Sequence, residues 1–213
     1  MNNKKGRLIV IEGACDGIGK STQLEMLKKK FGSDCYTHHF PSYGTYQGRP
    51  VEEYLKGNYG KISSLSPYFV NSLYAQDRAI TWITGLKQEY DKGNIIVLDR
   101  YTTSSLIYQS SVIDNPKEKE DFINYVYDYE YNKIGIPEPD LVIFLHVPFE
   151  LARSLKNKRT NNEGVKNDIH ESDYEYLKRA SDTSIDIAKK YNWCFIECSS
   201  NNEMRLPEDI HED

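Results

Sequence analysis

Short runs of hydrophobic residues alternate with longer amphipathic stretches along this chain. Five runs rich in aliphatic and aromatic residues predict strands, at residues 7–12, 36–40, 94–99, 140–147 and 193–197. These runs are nearly continuous rather than alternately apolar and polar, which is typical of strands covered on both faces. The pattern therefore predicts an α/β fold in which helices flank a five-stranded parallel sheet.

A proline and a glycine mark the ends of the longest predicted helix. Ser66 precedes Pro67, so a capping residue is followed by the residue that favours a first helical turn. The periodic stretch after them runs to about Asp91, and Gly93 follows as a terminator. A second helix, at 116–134, carries more tyrosines than one buried face can use, which leaves a partner surface and partly exposed packing equally open.

The late part of the chain predicts another helix and a loop before it. Ser172 with Glu175 has the spacing of a capping box. Four residues of the helix that follows would form its buried stripe: Leu177, Ala180, Ile185 and Ala188. The polar stretch 156–168 lacks apolar periodicity and predicts a mobile loop between helices.

Size and charge narrow the class of protein. A chain of 213 residues is expected to form one domain over residues 1–213. The net charge of −5 argues against a nucleic-acid partner, because such binding depends on many Lys and Arg contacts to phosphates. The longest apolar runs, 8–11 and 141–145, are far too short to span a membrane. Only four apolar residues follow the basic start before Glu12, too few for a secretion signal, which predicts a cytoplasmic protein.

The four cysteines are expected to be reduced and structural. They are scattered and lack the paired spacing of a zinc site or a disulfide framework: Cys15, Cys35, Cys194 and Cys198.

The strongest chemical motif is the glycine-rich stretch at 12–22, which lies between the first predicted strand and a helix. A turn at such a junction presents backbone N–H groups and a positive helix end to phosphate oxygens. Lys20 would add charge at the β- and γ-phosphates, and Ser21 would supply a hydroxyl to Mg²⁺. The motif therefore predicts a P-loop that binds a nucleoside triphosphate, in preference to a merely solvated turn.

The spacing of this P-loop is irregular. Five residues separate Gly13 from Gly19, where four are usual, so Ala14 stands at the expected glycine position. We expect a local bulge near Ala14 and Cys15, because the residues after them keep their register.

Two further patterns point to nucleotide chemistry. Asp99 ends a buried strand, where a carboxylate can hold Mg²⁺ directly or through water, although such an Asp can also cap the next turn. Tyr74 and Arg78 are four residues apart on one helix face, so that a ring could stack on a base while the guanidinium grips a phosphate. Taken alone, such a pair is more often the edge of an amphipathic helix, and Arg100 pointing into the same cleft would reverse that preference.

These motifs together resemble the thymidylate kinase family. The resemblance rests on the P-loop, on residues 40–44 (FPSYG), 73–78 (LYAQDR) and 99–101 (DRY), and on the serines and Tyr-Gln pair of 104–109, and it spans about 7–197. It implies a three-layer P-loop kinase fold with a small mobile lid at about 155–170, Mg²⁺ as cofactor, and a homodimer formed through helices. The activity it implies is phosphorylation of dTMP to dTDP by ATP.

The resemblance also implies roles for individual residues. ATP would be bound by Gly13, Ala14, Cys15, Asp16, Gly17, Ile18, Gly19, Lys20, Ser21 and Thr22. The acceptor dTMP would be bound by Asp16, Phe40, Tyr43, Tyr74, Arg78, Arg100, Ser105 and Tyr108, with Tyr74 stacked on thymine and Tyr108 beneath the deoxyribose. Catalysis would use Asp16, Lys20, Arg100 and Arg159, and the metal would be held by Ser21, Asp99 and Glu171.

A glycine follows Asp16, so this P-loop lacks an arginine that some members of the family carry there. We expect closure of the lid to bring Arg159 over the transferring phosphate and to exclude water. A solvated charge run is the alternative for the bases of this stretch, Lys156, Lys158 and Arg159.

Four other activities remain as alternatives. A regulatory GTPase would need an N-K-x-D element, which is missing from the strings at 132–135 and 157–160. The other three share the P-loop and differ from a dTMP kinase in substrate or turnover. They are a nucleoside kinase, a kinase for another pyrimidine monophosphate, and a catalytically weakened relative.

Overall fold

The computed structural model describes residues 5–163 and 168–213, and the side chains of 158–163 are outside what it describes. Its main sheet contains β1 (Arg7–Glu12), β2 (Cys35–His39), β3 (Ile95–Asp99), β4 (Leu141–His146) and β5 (Cys194–Glu197). All neighbours are parallel, in the order β2-β3-β1-β4-β5. This confirms the predicted five-stranded sheet, with boundaries within one residue of those expected.

Helices and short turns connect the strands. The helices of the described chain are α1 (Lys20–Phe31), α2 (Arg49–Leu55), α3 (Pro67–Thr81), α4 (Lys87–Asp91), α5 (Thr102–Tyr108), α6 (Pro116–Tyr127), α7 (Phe149–Glu163), α8 (Tyr174–Lys190) and α9 (Pro207–Glu212). A short antiparallel pair, β6 (Ser199–Ser200) and β7 (Glu203–Met204), precedes the last helix. Among the described residues, we find no helix that combines the length and the apolar character needed to cross a membrane.

Both faces of the sheet are covered, because alternate strand residues enter different cores. On one face, Leu8 and Val10 pack with Trp82, Leu86 and Tyr90 from the α3–α4 helical stretch. On the other face, strand residues pack against three other helices through Leu24, Ala152 and Ile210. The result is the expected arrangement of three layers.

The long helix predicted from Ser66 is confirmed. It runs from Pro67 to Asp91, with a π-helical turn at Trp82–Leu86, and Gly93 follows with φ 93°. The predicted tyrosine-rich helix at 116–134 is also confirmed, since a second π-helical turn, Asp128–Ile134, extends α6.

The predicted start of α8 was wrong by one residue, and its predicted stripe is confirmed at Ala180 and Ala188. Asp173 is the cap and accepts the backbone N–H of Tyr176, whereas the Ser172 hydroxyl donates to the Asp168 carbonyl. Ser172 is therefore engaged in the preceding turn and is not free to cap. The most buried positions are Tyr176, Ala180, Ser181, Thr183, Ser184, Ile187 and Ala188, while Leu177 and Ile185 are only partly buried.

The prediction of a loop at 156–168 was wrong for the first half of this range, where α7 continues as a helix to Glu163. Long unbranched side chains such as Lys156 favour helix even where no apolar stripe exists, so missing periodicity did not exclude one. The mobility of a lid at 155–170 stays a prediction.

Candidate active site

A cleft of about 290 Å³ opens at the carboxyl ends of β1 and β3. Parallel strands bring their carboxyl ends to one edge, so residues that follow different strands meet there. Eleven of the predicted site residues line the cleft: Ala14, Cys15, Asp16, Phe40, Tyr43, Tyr74, Arg78, Arg100, Ser105, Tyr108 and Glu171. The remaining P-loop residues and Asp99 lie beside it, and the side chain of Arg159 is outside the described residues.

The P-loop needs glycine at Gly13 for steric reasons. A Cβ there would lie 2.4 Å from the Ile18 Cδ1 atom and 2.9 Å from the Leu145 carbonyl oxygen. Gly17 and Gly19 have φ values of 78° and 94°, which side chains other than glycine rarely adopt. These glycines let the backbone turn sharply into α1, whose N-terminal N–H groups face the position of an anion.

Three consecutive carbonyls of this loop accept side-chain donors. Arg100 Nη1 donates to the Gly13 oxygen over 3.4 Å, the Tyr108 hydroxyl donates to the Ala14 oxygen, and Lys20 Nζ donates to the Cys15 oxygen over 2.7 Å. These bonds fix the stretch where the extra residue was expected. Lys20 is thereby buried inside the loop.

Arg100 is the central cation of the cleft. Its backbone has φ 67°, unusual for a non-glycine residue, and strain of this kind is typical of functional sites. Its Nη2 donates to Asp16 Oδ1 over 2.7 Å, and its Nη1 donates to the Tyr108 hydroxyl over 3.1 Å. The walls of the cleft partly desolvate the Asp16 carboxylate, but Arg100 and Lys20 outweigh this effect and hold the pKa of Asp16 well below its usual range.

Glu12 is a further charged residue of the site, which the sequence patterns do not single out. It is fully buried, 3.5 Å from Arg100 Nη1, and its Oε2 accepts the hydroxyls of Thr103 and Ser104 at 2.7 Å each. Glu12 ends β1 as Asp99 ends β3, so its position at the end of a strand could have indicated that it belongs to the site. The buried carboxylate fixes Arg100 from the sheet side.

Ser21 and Asp99 form a pair that fits Mg²⁺. The Ser21 hydroxyl donates to Asp99 Oδ2 over 3.4 Å, and His39 Nδ1 lies 3.1 Å from the same oxygen. Asp99 Oδ1 is buried without a partner among the described residues. Burial opposes ionisation of Asp99, but the bond to His39 and the charge of Lys20 keep its pKa below its usual value. A buried anionic oxygen with free capacity is the hard ligand that Mg²⁺ prefers.

Glu171 is not brought together with this pair. Its Oε1 is paired with Lys156 Nζ, and its Oε2 accepts the backbone N–H of Asp168 over 3.1 Å. Among the described residues, no cluster of three or more Asp, Glu, His or Cys side chains suits a metal. The Glu171 carboxylate is therefore not placed as the expected metal ligand, because it forms an ion pair with Lys156.

Arg78 is not placed to bind a phosphate as the sequence predicted, because its guanidinium is paired with a carboxylate. Its Nε and Nη2 each donate to a different oxygen of Glu130 over 2.6 Å, and both side chains are buried. Burial alone would lower the pKa of Arg78, but the Glu130 carboxylate raises it above its usual value. Nη2 also donates to the Ser105 hydroxyl over 2.9 Å, which places Arg78 at the Ser105 end of the cleft, its charge already neutralised.

Aromatic side chains enclose the pocket between Arg100 and Arg78. Tyr74 is half-buried and meets Tyr54 edge-on, with ring centroids 6.3 Å apart. The Tyr108 ring stacks on His170 at 6.1 Å, and His170 Nε2 is 2.8 Å from the Tyr54 hydroxyl. Burial and the nearby charge of Arg100 lower the pKa of His170 to about 3, so its ring is neutral at physiological pH. Such walls accept a flat, uncharged ring.

The backbone after β2 is fixed by a buried aspartate. Asp77 Oδ2 accepts the N–H of Ser42 over 2.7 Å, and the Ser42 hydroxyl lies 2.8 Å from His38 Nε2. Phe40 is thereby held in the cleft wall, and Tyr43 stands exposed at its mouth. The aspartate of the LYAQDR motif thus positions the predicted acceptor loop.

Comparison with known proteins agrees with this geometry. The family model described as Thymidylate kinase matches residues 11–210. A thymidylate kinase of Mycobacterium tuberculosis is 33% identical over 189 residues, or 85% of each chain, and a probable thymidylate kinase 1 of Saccharolobus solfataricus is 30% identical over 96% of this chain and 95% of its own. The solved structure of the thymidylate kinase of Candida albicans superposes with a TM-score of 0.68 at 22% sequence identity. The match covers 98% of this chain and 88% of the Candida albicans chain, which confirms the P-loop kinase fold. On the family match and these identities, the chain belongs to the thymidylate kinase family.

Proposed function

We propose that this chain transfers the terminal phosphoryl group of ATP to dTMP and releases ADP and dTDP. The observation that carries the proposal is Arg100, whose guanidinium stands between the glycine-rich loop and the aromatic pocket and contacts both Asp16 and Tyr108. Phosphoryl transfer needs little covalent help and depends on alignment and positive charge around the migrating group. A cation at the junction of two nucleotide sites supplies both.

The donor phosphates would lie on the N–H groups at the start of α1. Lys20, now bonded to the Cys15 carbonyl and 3.6 Å from Asp16 Oδ1, would turn to the β- and γ-phosphates. Ser21 and Asp99 would hold Mg²⁺, which neutralises charge on the triphosphate when bound. The backbone, Lys20 and Ser21 thus fix the donor with its terminal phosphorus toward Arg100.

The acceptor would enter the aromatic pocket with its base against Tyr74. Ser105, itself held by Arg78, offers a hydroxyl at the base end, and the ring of Tyr108 lies on the side of the sugar. Arg100 would take the 5′-phosphate, because its partner Asp16 is more than half exposed and can be displaced. Exclusion of water by these aromatic walls favours transfer to the acceptor over hydrolysis.

A homodimer fits an apolar stripe on α3 and the turn after it. Phe69, Leu73, Ile80 and Ile83 recur on one helix face, and Phe69 and Ile83 are 43% and 67% exposed. Exposed apolar stripes of this kind are typical of interfaces between copies. Substituting Ile83→Glu should shift the sedimentation coefficient from a dimer to a monomer, and an unchanged dimer would exclude this face. The cytoplasmic location and the absence of a nucleic-acid partner stay predictions from the sequence.

The activity is tested by ADP release with dTMP, dUMP, dCMP, UMP and thymidine as acceptors. We expect dTMP to give the highest kcat/KM, and thymidine to be poor because it brings no phosphate to Arg100. A preference for thymidine would indicate a nucleoside kinase, and binding of both nucleotides without turnover would indicate an inactive relative.

A further inference from the structure

Lys156 lies where α7 passes the glycine-rich loop. Its Cα atom is 4.0 Å from the point that a Cβ on Gly17 would occupy, an ordinary van der Waals separation. Its side chain lines the same cleft as Asp16 and Arg100. Because the anion cradle begins at this part of the loop, a long cationic side chain that starts here is next to the place of the donor phosphates.

The charge of Lys156 is held by one carboxylate. Its Nζ is paired with Glu171 Oε1, and both side chains are 19% exposed. Glu171 is in turn anchored by the backbone of the turn before α8, through the N–H of Asp168. Partial desolvation in the cleft opposes ionisation of Asp16, and Lys156 adds to Arg100 and Lys20 in holding its pKa low, so the field of Lys156 reaches the P-loop. The pair faces the cleft and can be opened by a stronger anion than one carboxylate.

We propose that Lys156 is a catalytic residue, whose ammonium group leaves Glu171 and binds phosphate oxygens when both nucleotides fill the cleft. The proposal rests on the proposed function. In the reaction, an oxygen of the acceptor phosphate bonds to the γ-phosphorus of ATP, the bond from that phosphorus to the bridging oxygen breaks, and ADP leaves with that oxygen. Lys156 gives and takes no proton. Its charge stabilises the negative charge that the transferring group shares with the two oxygens.

The primary test compares Lys156→Met and Lys156→Arg with the wild type by steady-state ADP release at saturating ATP and dTMP. Loss of the ammonium should lower kcat by about 100-fold, the usual size for one preorganised charge or donor at a transition state. Both KM values should change by less than about threefold. Arginine should restore kcat to within about tenfold, since it keeps the charge with different geometry.

The matched control is Lys87→Met, which also removes a lysine from an ion pair, here with Asp91 at the surface of α4. Its kcat should stay within twofold of the wild type. Thermal unfolding by circular dichroism shows whether each variant folds, and Lys156→Gln replaces Lys156→Met should the apolar side chain prevent folding.

A double-mutant cycle separates catalysis from a structural role of the ion pair. If Lys156 acts on phosphate, adding Lys156→Met to Glu171→Gln lowers kcat by a further factor of at least about 30, because the ammonium still works when its resting partner is lost. No further loss in the double variant, or a kcat of Lys156→Met within threefold of an active wild type, overturns the inference and leaves the proposed function intact. A wild type without dTMP-dependent ADP release overturns the proposed function itself.

Discussion

Replacing Arg78 with methionine removes one half of an ion pair that is closed to solvent. Arg78 is 1% exposed and Glu130 is 0% exposed, with two bonds of 2.6 Å between them. In the variant, Glu130 keeps only a hydroxyl donor, Thr102 at 2.8 Å, among the described side chains. Leaving a buried charge unpaired typically costs about 3–5 kcal/mol, which lowers the folding equilibrium constant by about 10²–10⁴-fold. For a chain of this size, the expected fall in Tm is about 6–20 °C.

Urea unfolding and thermal unfolding measure this loss, and two controls identify its cause. The double variant Arg78→Met with Glu130→Gln should recover most of the stability, because the uncompensated charge is gone and Thr102 keeps an acceptor. Lys178→Met breaks an exposed pair with Asp182 and should cost less than about 1 kcal/mol. A Tm of Arg78→Met within 2 °C of the wild type, or a double variant no better than the single one, would refute the reasoning.

The same variant separates a base-end role from a phosphate-binding role. Arg78 holds the Ser105 hydroxyl and has no spare charge, so its loss should raise the KM for dTMP while the KM for ATP stays within about twofold. The kinetics are measured well below the Tm of the variant, where the folded fraction is complete. An unchanged KM for dTMP would remove Arg78 from the acceptor site.

Three further predictions follow from other carboxylates. Asp99→Asn should raise the Mg²⁺ concentration for half-maximal activity by about 10-fold or more. Calorimetric titration of Mg²⁺ into the ATP complex should show a parallel fall in Mg²⁺ affinity. Glu12→Gln places an amide against two hydroxyl donors and should lower the free energy of unfolding by about 1–3 kcal/mol, measured in urea. Burial, with Glu171 nearby, raises the pKa of Asp168 to about 6 from 3.8, so the wild type loses stability as pH rises through this window. The Tm of Asp168→Asn relative to the wild type should therefore rise between pH 4 and 6 and then level off, and a constant difference would contradict the shift.

The parts of the molecule that the sequence predicted best are those encoded by local patterns. Each strand is a short apolar run, and the cradle is one contiguous motif between β1 and α1. The Arg78 and Glu130 pair could not be predicted in this way, because its members are 52 residues apart and nothing around Glu130 distinguishes it from other acids of a tyrosine-rich helix. The position of Glu12 was predictable in principle, since it ends the strand that carries the P-loop, but its burial depends on the hydroxyls of α5.

Four cations in or beside the cleft already have carboxylate partners, namely Lys20, Arg78, Arg100 and Lys156. The exposure of the partner that a phosphate would displace distinguishes their roles. Asp16, which contacts Lys20 and the Nη2 atom of Arg100, has a side chain 54% exposed, so incoming phosphates can replace it at little cost while Glu12 still holds the Nη1 atom of Arg100. Glu130 is fully buried, and separating it from Arg78 would leave both charges without water or a counterion. The sequence shows cationic residues for both ends of the pocket, but only the burial of their carboxylate partners distinguishes a cation that can move to a phosphate from one that fixes the wall. By this criterion Lys156, whose partner is one-fifth exposed, belongs with Lys20 and Arg100 rather than with Arg78.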